Sequence, residues 1–131
     1  MQPQAHTQSS KGRPLTNAEL VRDLCDASSA LREANRLHLW HFGTLIPHVF
    51  MSDVLARVGY CVSDERGAEV VRHRSEAAAI LLALERGLAD GERETRNVIA
   101  LSFVCDSEVE QFFARLRPLL GPRMLQQLRG N

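Results

Sequence analysis

Three histidines and one aspartate lie within a short block of the chain and are of residue types that bind transition metals. His38 and His41 have the i,i+3 spacing that places two side chains on one helix face, and His48 and Asp53 follow closely. Imidazole nitrogens bind zinc, copper and nickel, and a carboxylate can complete the ligand set. One hypothesis is therefore a metal site, in a small metal-binding protein or a metal-dependent enzyme.

A structural interpretation of the same histidines is the one we favour. Gly43 and Pro47 interrupt the block, so the histidines need not share one face. The HExxH pattern of zinc proteases is also missing from the sequence. The histidines then become half-buried side chains at the edge of an aromatic cluster, and we predict no cofactor.

The aromatic side chains of the same block are the candidates for binding a partner. Trp40 and Phe42, with Phe50 nearby, either anchor this segment onto the helices or form a partly exposed recognition patch. Tryptophan is enriched in the hot spots of protein interfaces, and irregular segments on rigid scaffolds often carry function. The predicted partner-binding residues are Trp40, His41, Phe42 and His48.

Apart from the metal hypothesis, nothing in the sequence predicts an enzyme. The cysteines, Cys25, Cys61 and Cys105, are far apart and next to apolar residues, and burial raises the pKa of a thiol and makes it inert. Neither a nucleophile-elbow serine nor a glycine-rich phosphate loop occurs in the sequence. An odd number of scattered cysteines also fits a reducing compartment.

Composition limits the partners and the location that we expect. The chain has 131 residues and balances 16 basic against 16 acidic side chains, whereas nucleic-acid-binding domains normally carry a positive excess. No apolar run approaches the ~20 residues that span a bilayer. We therefore predict a soluble cytoplasmic protein with neither nucleic acid nor membrane as a partner.

The hydrophobic pattern predicts an all-α fold, a compact bundle of about five to six helices. Residues 1–15 are polar and are predicted to be a disordered tail, and residues 16–131 to be a single α-helical domain. A capping box, Thr16-x-x-Glu19, starts a first helix whose apolar stripe runs on to Ala34. The further expected elements are a short turn or helix at 37–45, a helix from Pro47 to Gly59, a long helix ending at Asp90-Gly91, a helix at about 92–105, a helix from a second capping box at Ser107 to Pro118, and a last helix from Pro122.

Two resemblances add to this prediction. Residues 77–104, with the sequence AAAILLALERGLADGERETRNVIALSFV, resemble one HEAT-type helical pair. The resemblance implies HEAT-like hairpin packing and a structural turn pair in which Arg96 bonds to Asp90. Residues 37–128 resemble a bacterial helical domain family of unknown function, through the segments LHLWHFGTLIPHVF (37–50), ETRNVIALSFVCD (94–106) and RPLLGPRMLQQL (117–128).

The family resemblance also bears on function. Members are similar in size to small immunity and accessory proteins that are encoded beside bacterial toxins and secretion systems. We therefore predict a bacterial protein–protein interaction module of immunity or accessory type, whose partner is another protein such as a toxin or a secretion-system component. The metal site described above and a structural homodimer are the two alternatives.

Overall fold

The described part of the chain is an all-α bundle, as the sequence predicts. The computed structural model describes residues 13–63, 67–101 and 114–129, without the side chains of residues 67–71 and 129. Its helices are α1 (Asn17–Ala27), α2 (Ser29–Phe42), α3 (Pro47–Ser63), α4 (Gly67–Asp90), α5 (Arg93–Ile99) and α6 (Pro122–Arg129), and a 3₁₀ turn (Arg117–Leu119) precedes α6. Within these ranges no helix is long and apolar enough to cross a membrane.

The first apolar stripe is divided between two helices. The predicted capping box starts α1, since the Glu19 amide donates to Thr16 Oγ1 and the Thr16 amide to Glu19 Oε1. The prediction of one continuous helix is wrong at Ser28, which is extended and caps α2 by accepting a hydrogen bond from the Leu31 amide. Serine favours this cap position because its hydroxyl satisfies an otherwise unpaired amide.

Helix α2 continues through the segment that was expected to be a separate short element. It ends at Phe42, where Gly43 has a φ of 77° and donates its amide to the Leu39 carbonyl. Such a left-handed C-terminal position favours glycine, which has no Cβ to clash. Residues 37–42 therefore continue the helix that begins at Ser29. The rotation along that helix decides which of their side chains face the core.

Helix α3 begins at Pro47 as predicted but does not end at Gly59. It runs on to Ser63 and buries Cys61 and Val62 in the added turn. A glycine inside a helix costs about 1 kcal/mol relative to alanine. Burying the two apolar side chains outweighs that cost, since a fully buried Val side chain alone contributes about 1.5–3 kcal/mol.

The long helix α4 is the centre of the bundle. It packs against α1, α3, α5 and α6, and it ends at Asp90 before Gly91, as predicted. Its inner face is fully buried and consists of Ala77, Ile80, Leu81 and Leu84. These side chains meet a core that includes Leu24, Leu31, Phe50, Val58 and Ile99.

The segment before α1 is attached to the junction of α4 and α5. The Leu15 amide donates to the Asp90 carbonyl at 2.7 Å, and the Glu92 amide donates to the Leu15 carbonyl at 2.9 Å. Leu15 also packs against the core. Leu15, which falls in the predicted tail, is thus held against the helices by backbone bonds and apolar packing.

The last helix is capped by a residue from α4. Glu85 accepts hydrogen bonds from the amides of Arg123 and Met124, both at 2.9 Å, and its side chain is only 12% exposed. Carboxylates stabilise helix N-termini because the first amides lack intrahelical acceptors. Gly121 permits this approach, since a Cβ there would lie 2.6 Å from Glu85 Cδ.

Several predictions fall on residues that the structure does not describe. The capping box at Ser107, most of the helix that it starts and the end of the predicted 92–105 helix lie outside the described ranges, whereas residues 114–116 are described and helical. Pro118 lies within the 3₁₀ turn, and α6 begins at Pro122 as expected.

Candidate functional site

Trp40 is an exposed side chain and not an anchor of the core. It is 81% exposed on α2, whereas Leu31 and His38 on the same helix are buried. With about 100° between successive residues of a helix, Trp40 lies roughly 160° around α2 from His38. Trp40 therefore does not anchor this segment onto the helices, and the recognition patch stays a prediction.

A shallow groove lies beside Trp40, between α2 and α3. Its lining residues come from both helices and are Ala34, Leu37, His38, His41, Phe42, Val49, Ser52 and Asp53. The groove has a volume of about 340 Å³. Leu37, Phe42 and Val49 are all exposed in spite of their size, so the groove presents apolar surface to solvent. Contiguous exposed apolar surface of this kind marks interaction sites on soluble proteins.

His38 forms the floor of this groove and accepts a hydrogen bond from the backbone. Its side chain is 5% exposed and lies between the rings of Phe42, at 4.8 Å, and Phe50, at 6.0 Å. Its Nε2 accepts a hydrogen bond from the Ile46 amide at 2.9 Å. The bond requires a lone pair on Nε2, so the proton of the neutral ring lies on Nδ1. It also fixes the α2–α3 loop, because the Ile46 carbonyl accepts from the amides of Val49 and Phe50 in the first turn of α3.

The other three residues of the metal hypothesis are spread along the groove and α3. His41 packs edge-on against Phe42 at 4.6 Å, and His41 and Asp53 are exposed on the groove rim. His48 is exposed in the first turn of α3 and is not among the groove residues. Across the described ranges, no group of three or more His, Cys, Asp or Glu side chains is placed to hold a metal ion. The Nε2 of His38 is moreover already used as an acceptor.

A polar network between α2, α3 and α4 was not predicted from sequence. The Glu76 carboxylate accepts two bonds from Arg57, at 2.7 and 2.8 Å, and one from the Ser28 hydroxyl at 2.6 Å. Arg57 also lies over the ring of Tyr60, 4.9 Å from its centroid, and Tyr60 packs edge-on against His73 at 5.1 Å. The bidentate guanidinium holds the pKa of Glu76 at about 2, and the Ser28 bond acts in the same direction against the effect of burial.

This network ties three helices together around one carboxylate. The Ser28 hydroxyl donates a hydrogen bond to Glu76, which also accepts two from Arg57, and the lowered pKa of Glu76 makes it a weak base toward that hydroxyl. The neighbouring Cys61 is buried, and burial, followed by the nearby Glu76 charge, raises the pKa of its thiol to about 12. Burial also raises the pKa of Cys25, while Cys105 lies outside the described residues.

The predicted turn pair occupies the junction of α4 and α5. Asp90 and Arg96 are both exposed, and the contacts within 13–63, 67–101 and 114–129 include no hydrogen bond or ion pair between their side chains. At this junction the backbone carbonyl of Asp90 accepts a hydrogen bond from the Leu15 amide. A second link here is made by the Thr95 hydroxyl, which donates to Asn17 Oδ1 at 2.8 Å.

A second depression carries charged side chains and lies beside α1 and the end of α4. It has a volume of about 380 Å³ and is lined by Arg13, Leu15, Glu19, Arg22, Asp23, Arg86 and Asp90. Arg13 pairs with both carboxylate oxygens of Glu19, and Arg86 lies 3.4 Å from Asp23. Opposite charges alternate around this depression, so it presents no field of one sign to a ligand.

Comparison with known proteins adds no relative to this picture. A scan of protein-family models, a search of curated proteins and a search of solved structures each gave no match to the chain. The bacterial origin and the HEAT-like pairing that the resemblances imply thus stay predictions, and the function must be argued from the surface of the bundle itself.

Proposed function

We propose that this chain is a protein–protein interaction module that binds a polypeptide partner through the groove between α2 and α3 and the adjacent Trp40. The observation that carries the proposal is the 81% exposure of Trp40. An exposed tryptophan leaves a large apolar area in contact with water that a partner can bury, and buried aromatic anchors supply much of the energy of protein interfaces.

The groove supports the same function because it can accept apolar side chains of a partner. Leu37, Phe42 and Val49 line it and lose water when it is covered. His41, Ser52 and Asp53 provide polar atoms at its rim, where they can select the partner. An apolar centre with a polar rim is the usual arrangement of a protein interface.

The bundle holds this surface in place before any partner arrives. The His38–Ile46 bond fixes the loop between the two helices, and Leu31 and Phe50 anchor α2 and α3 in the core. A surface that is fixed in advance loses little conformational entropy on binding, which favours affinity. No described contact favours the metal alternative over this function, since no cluster of ligands converges there.

The proposal is tested by cross-linking followed by reconstitution. A photoreactive phenylalanine replaces Trp40 in one variant and Leu39 in the matched control, since Leu39 is exposed on the same helix but does not line the groove. We expect position 40, and not position 39, to cross-link one polypeptide in extracts of the native cell. Binding of the purified partner is then measured for wild type, Trp40→Ala and Leu39→Ala.

Trp40→Ala is expected to weaken binding by about 30-fold or more, the effect of a hot-spot residue, and Leu39→Ala by less than about threefold. Both variants should fold normally, because substitutions of exposed residues usually change stability by less than about 0.5 kcal/mol. Equal binding by wild type and Trp40→Ala would show that this surface is not the docking site.

A further inference from the structure

The groove and Trp40 are complementary features on one helix of one chain. We infer that the occupant of the groove is Trp40 of a second copy of this chain, so that two copies form a symmetric dimer through α2. The inference rests on the proposed function, since it names the partner for the same surface.

The positions around α2 put the groove and Trp40 on opposite sides of Leu37. At about 100° per residue, Ala34, His38, His41 and Phe42 lie roughly 40–140° from Leu37 in one direction. All four of these residues line the groove. Trp40 lies about 60° from Leu37 in the other direction. Leu37, which is 50% exposed, is therefore at the centre of the proposed contact.

This arrangement selects one symmetry. In a dimer of identical chains each contact is made twice, so Trp40 of each copy must reach the groove of the other. A two-fold axis perpendicular to α2 would bring Trp40 against Trp40 and groove against groove. A two-fold axis parallel to α2 instead brings each Trp40 opposite the partner's groove. The two α2 helices of the dimer thus run in parallel.

The heights along α2 also agree. All side chains on a helix lean toward its N-terminus, so Trp40 and the groove side chains of α2 are displaced alike along the helix. The α2 lining of the groove extends from Ala34 to Phe42, and Trp40 lies within that range, about 3 Å from its middle. In a parallel pair with the axis along the helix, equal heights face each other, and the ring meets the groove without a shift in register.

The area and the charge of the surface indicate how stable the dimer is. With 81% of its surface exposed, Trp40 presents about 200 Å², a quarter of the roughly 800 Å² that each partner buries in a standard interface. The chain carries no net charge, so two copies do not repel each other. Trp40 alone falls short of a standard interface, and small interfaces are typical of weak, transient complexes, so we expect a dissociation constant on the order of micromolar to tens of micromolar.

Sedimentation equilibrium of the full chain from about 5 to 500 µM tests the dimer across that affinity range. The mass should rise from 14.7 kDa toward twice that value. Trp40 is the only tryptophan, so its fluorescence emission should shift to the blue over the same concentrations. Trp40→Ala should weaken association at least tenfold and Leu39→Ala, from the opposite side of α2, should leave it unchanged. The inference would be overturned if the chain is still a monomer at about 500 µM. It would also be overturned if a dimer forms in which the emission of Trp40 remains that of a solvent-exposed tryptophan.

Cysteine cross-linking tests the direction of the helices. Glu33→Cys and Leu37→Cys both lie near the proposed axis, about one turn apart, so both should form disulfide dimers, whereas Leu39→Cys should not. The wild-type chain, treated in the same way, shows how much disulfide dimer its native cysteines form. Cross-linking at only one of the two axial positions would overturn the parallel arrangement.

The two proposals can fail separately. If the chain is monomeric and position 40 cross-links a different polypeptide, the dimer is wrong and the interaction module stands. If position 40 cross-links nothing and Trp40→Ala changes no association, both are wrong.

Discussion

Replacing Glu76 by glutamine should destabilise the bundle in a pH-dependent way. The substitution keeps the size of the side chain but removes the charge that Arg57 contacts through two bonds. Arg57 is then left partly buried without its counter-ion, and the Ser28 hydroxyl bonds to a weaker acceptor.

The size of the effect follows from the pKa of the carboxyl group. Arg57 is the largest cause of a decrease in the Glu76 pKa from 4.5 to about 2. At about 1.4 kcal/mol per pKa unit this shift corresponds to roughly 3 kcal/mol, an upper limit. Solvent reaches part of the pair, since the side chains of Glu76 and Arg57 are 16% and 28% exposed. We therefore expect Glu76→Gln to lower the free energy of unfolding by about 2–3 kcal/mol near neutral pH.

The pH dependence has a definite sign. A carboxyl group with a lowered folded-state pKa stabilises the protein above its unfolded pKa, and this stabilisation is lost as the pH falls toward the folded value. For Glu76 that window runs from 4.5 down to about 2. More than half of the difference between wild type and variant should be lost by about pH 3.

Guanidinium denaturation, followed by circular dichroism at several pH values, measures the difference. Glu33→Gln is the matched control, because Glu33 pairs with Arg36 on the exposed face of α2. That variant should be as stable as wild type within the error of the measurement, because an exposed ion pair contributes little. A Glu76→Gln variant as stable as the control, or a difference that does not change with pH, would refute this account of the network.

Three further predictions concern other parts of the bundle. His38→Leu leaves the Ile46 amide without its acceptor. It should lower the free energy of unfolding, measured by thermal or chemical denaturation, by about 1–3 kcal/mol. Unchanged stability would show that this bond is dispensable. Gly121→Ala places a Cβ 2.6 Å from Glu85 Cδ. The displaced cap should lower stability by about 1–2 kcal/mol and reduce the helical circular dichroism signal. Burial raises the pKa of Cys61 to about 12, so iodoacetamide should not modify it in the folded protein at about pH 8. Rapid modification of Cys61, detected by mass spectrometry, would contradict its burial.

The helix boundaries that the sequence predicts correctly are those with local causes. The Thr16 and Glu19 side chains cap α1 through bonds within one turn, and Pro47 starts α3 because its ring fixes φ and lacks an amide. Gly91 directly follows the end of α4, as the Asp90-Gly91 pair predicts. Each of these signals is contained in three or four consecutive residues, so no tertiary contact was needed to recognise it.

The boundaries that the sequence does not reveal depend on distant residues. The break at Ser28 is stabilised by Glu76, which is 48 positions further along the chain. The continuation of α3 past Gly59 depends on burying Cys61 and Val62 in the core. In both cases tertiary packing outweighs a local preference that predicts the opposite.

The orientation of Trp40 could not be predicted for the same reason. Its two interpretations differ in which way residues 37–42 face, and that depends on whether they belong to a new element or continue α2. Once the helix runs unbroken from Ser29 to Phe42, burial of Leu31 and His38 turns Trp40 to the outside. The residue types of the surface were recognisable from the sequence, but the groove beside it required α3 to be in place.

The backbone bonds of Leu15 have a consequence for the order in which a nascent chain can reach its final structure. Leu15 leaves the ribosome early, yet its amide and carbonyl bond to Asp90 and Glu92, which are synthesised much later. Helices α1 to α4 can assemble during translation, since their contacts are already present in the emerged chain. The N-terminal segment cannot be fixed until α5 has begun to emerge, so in a ribosome-bound chain it should become resistant to proteolysis only after most of the domain has been made.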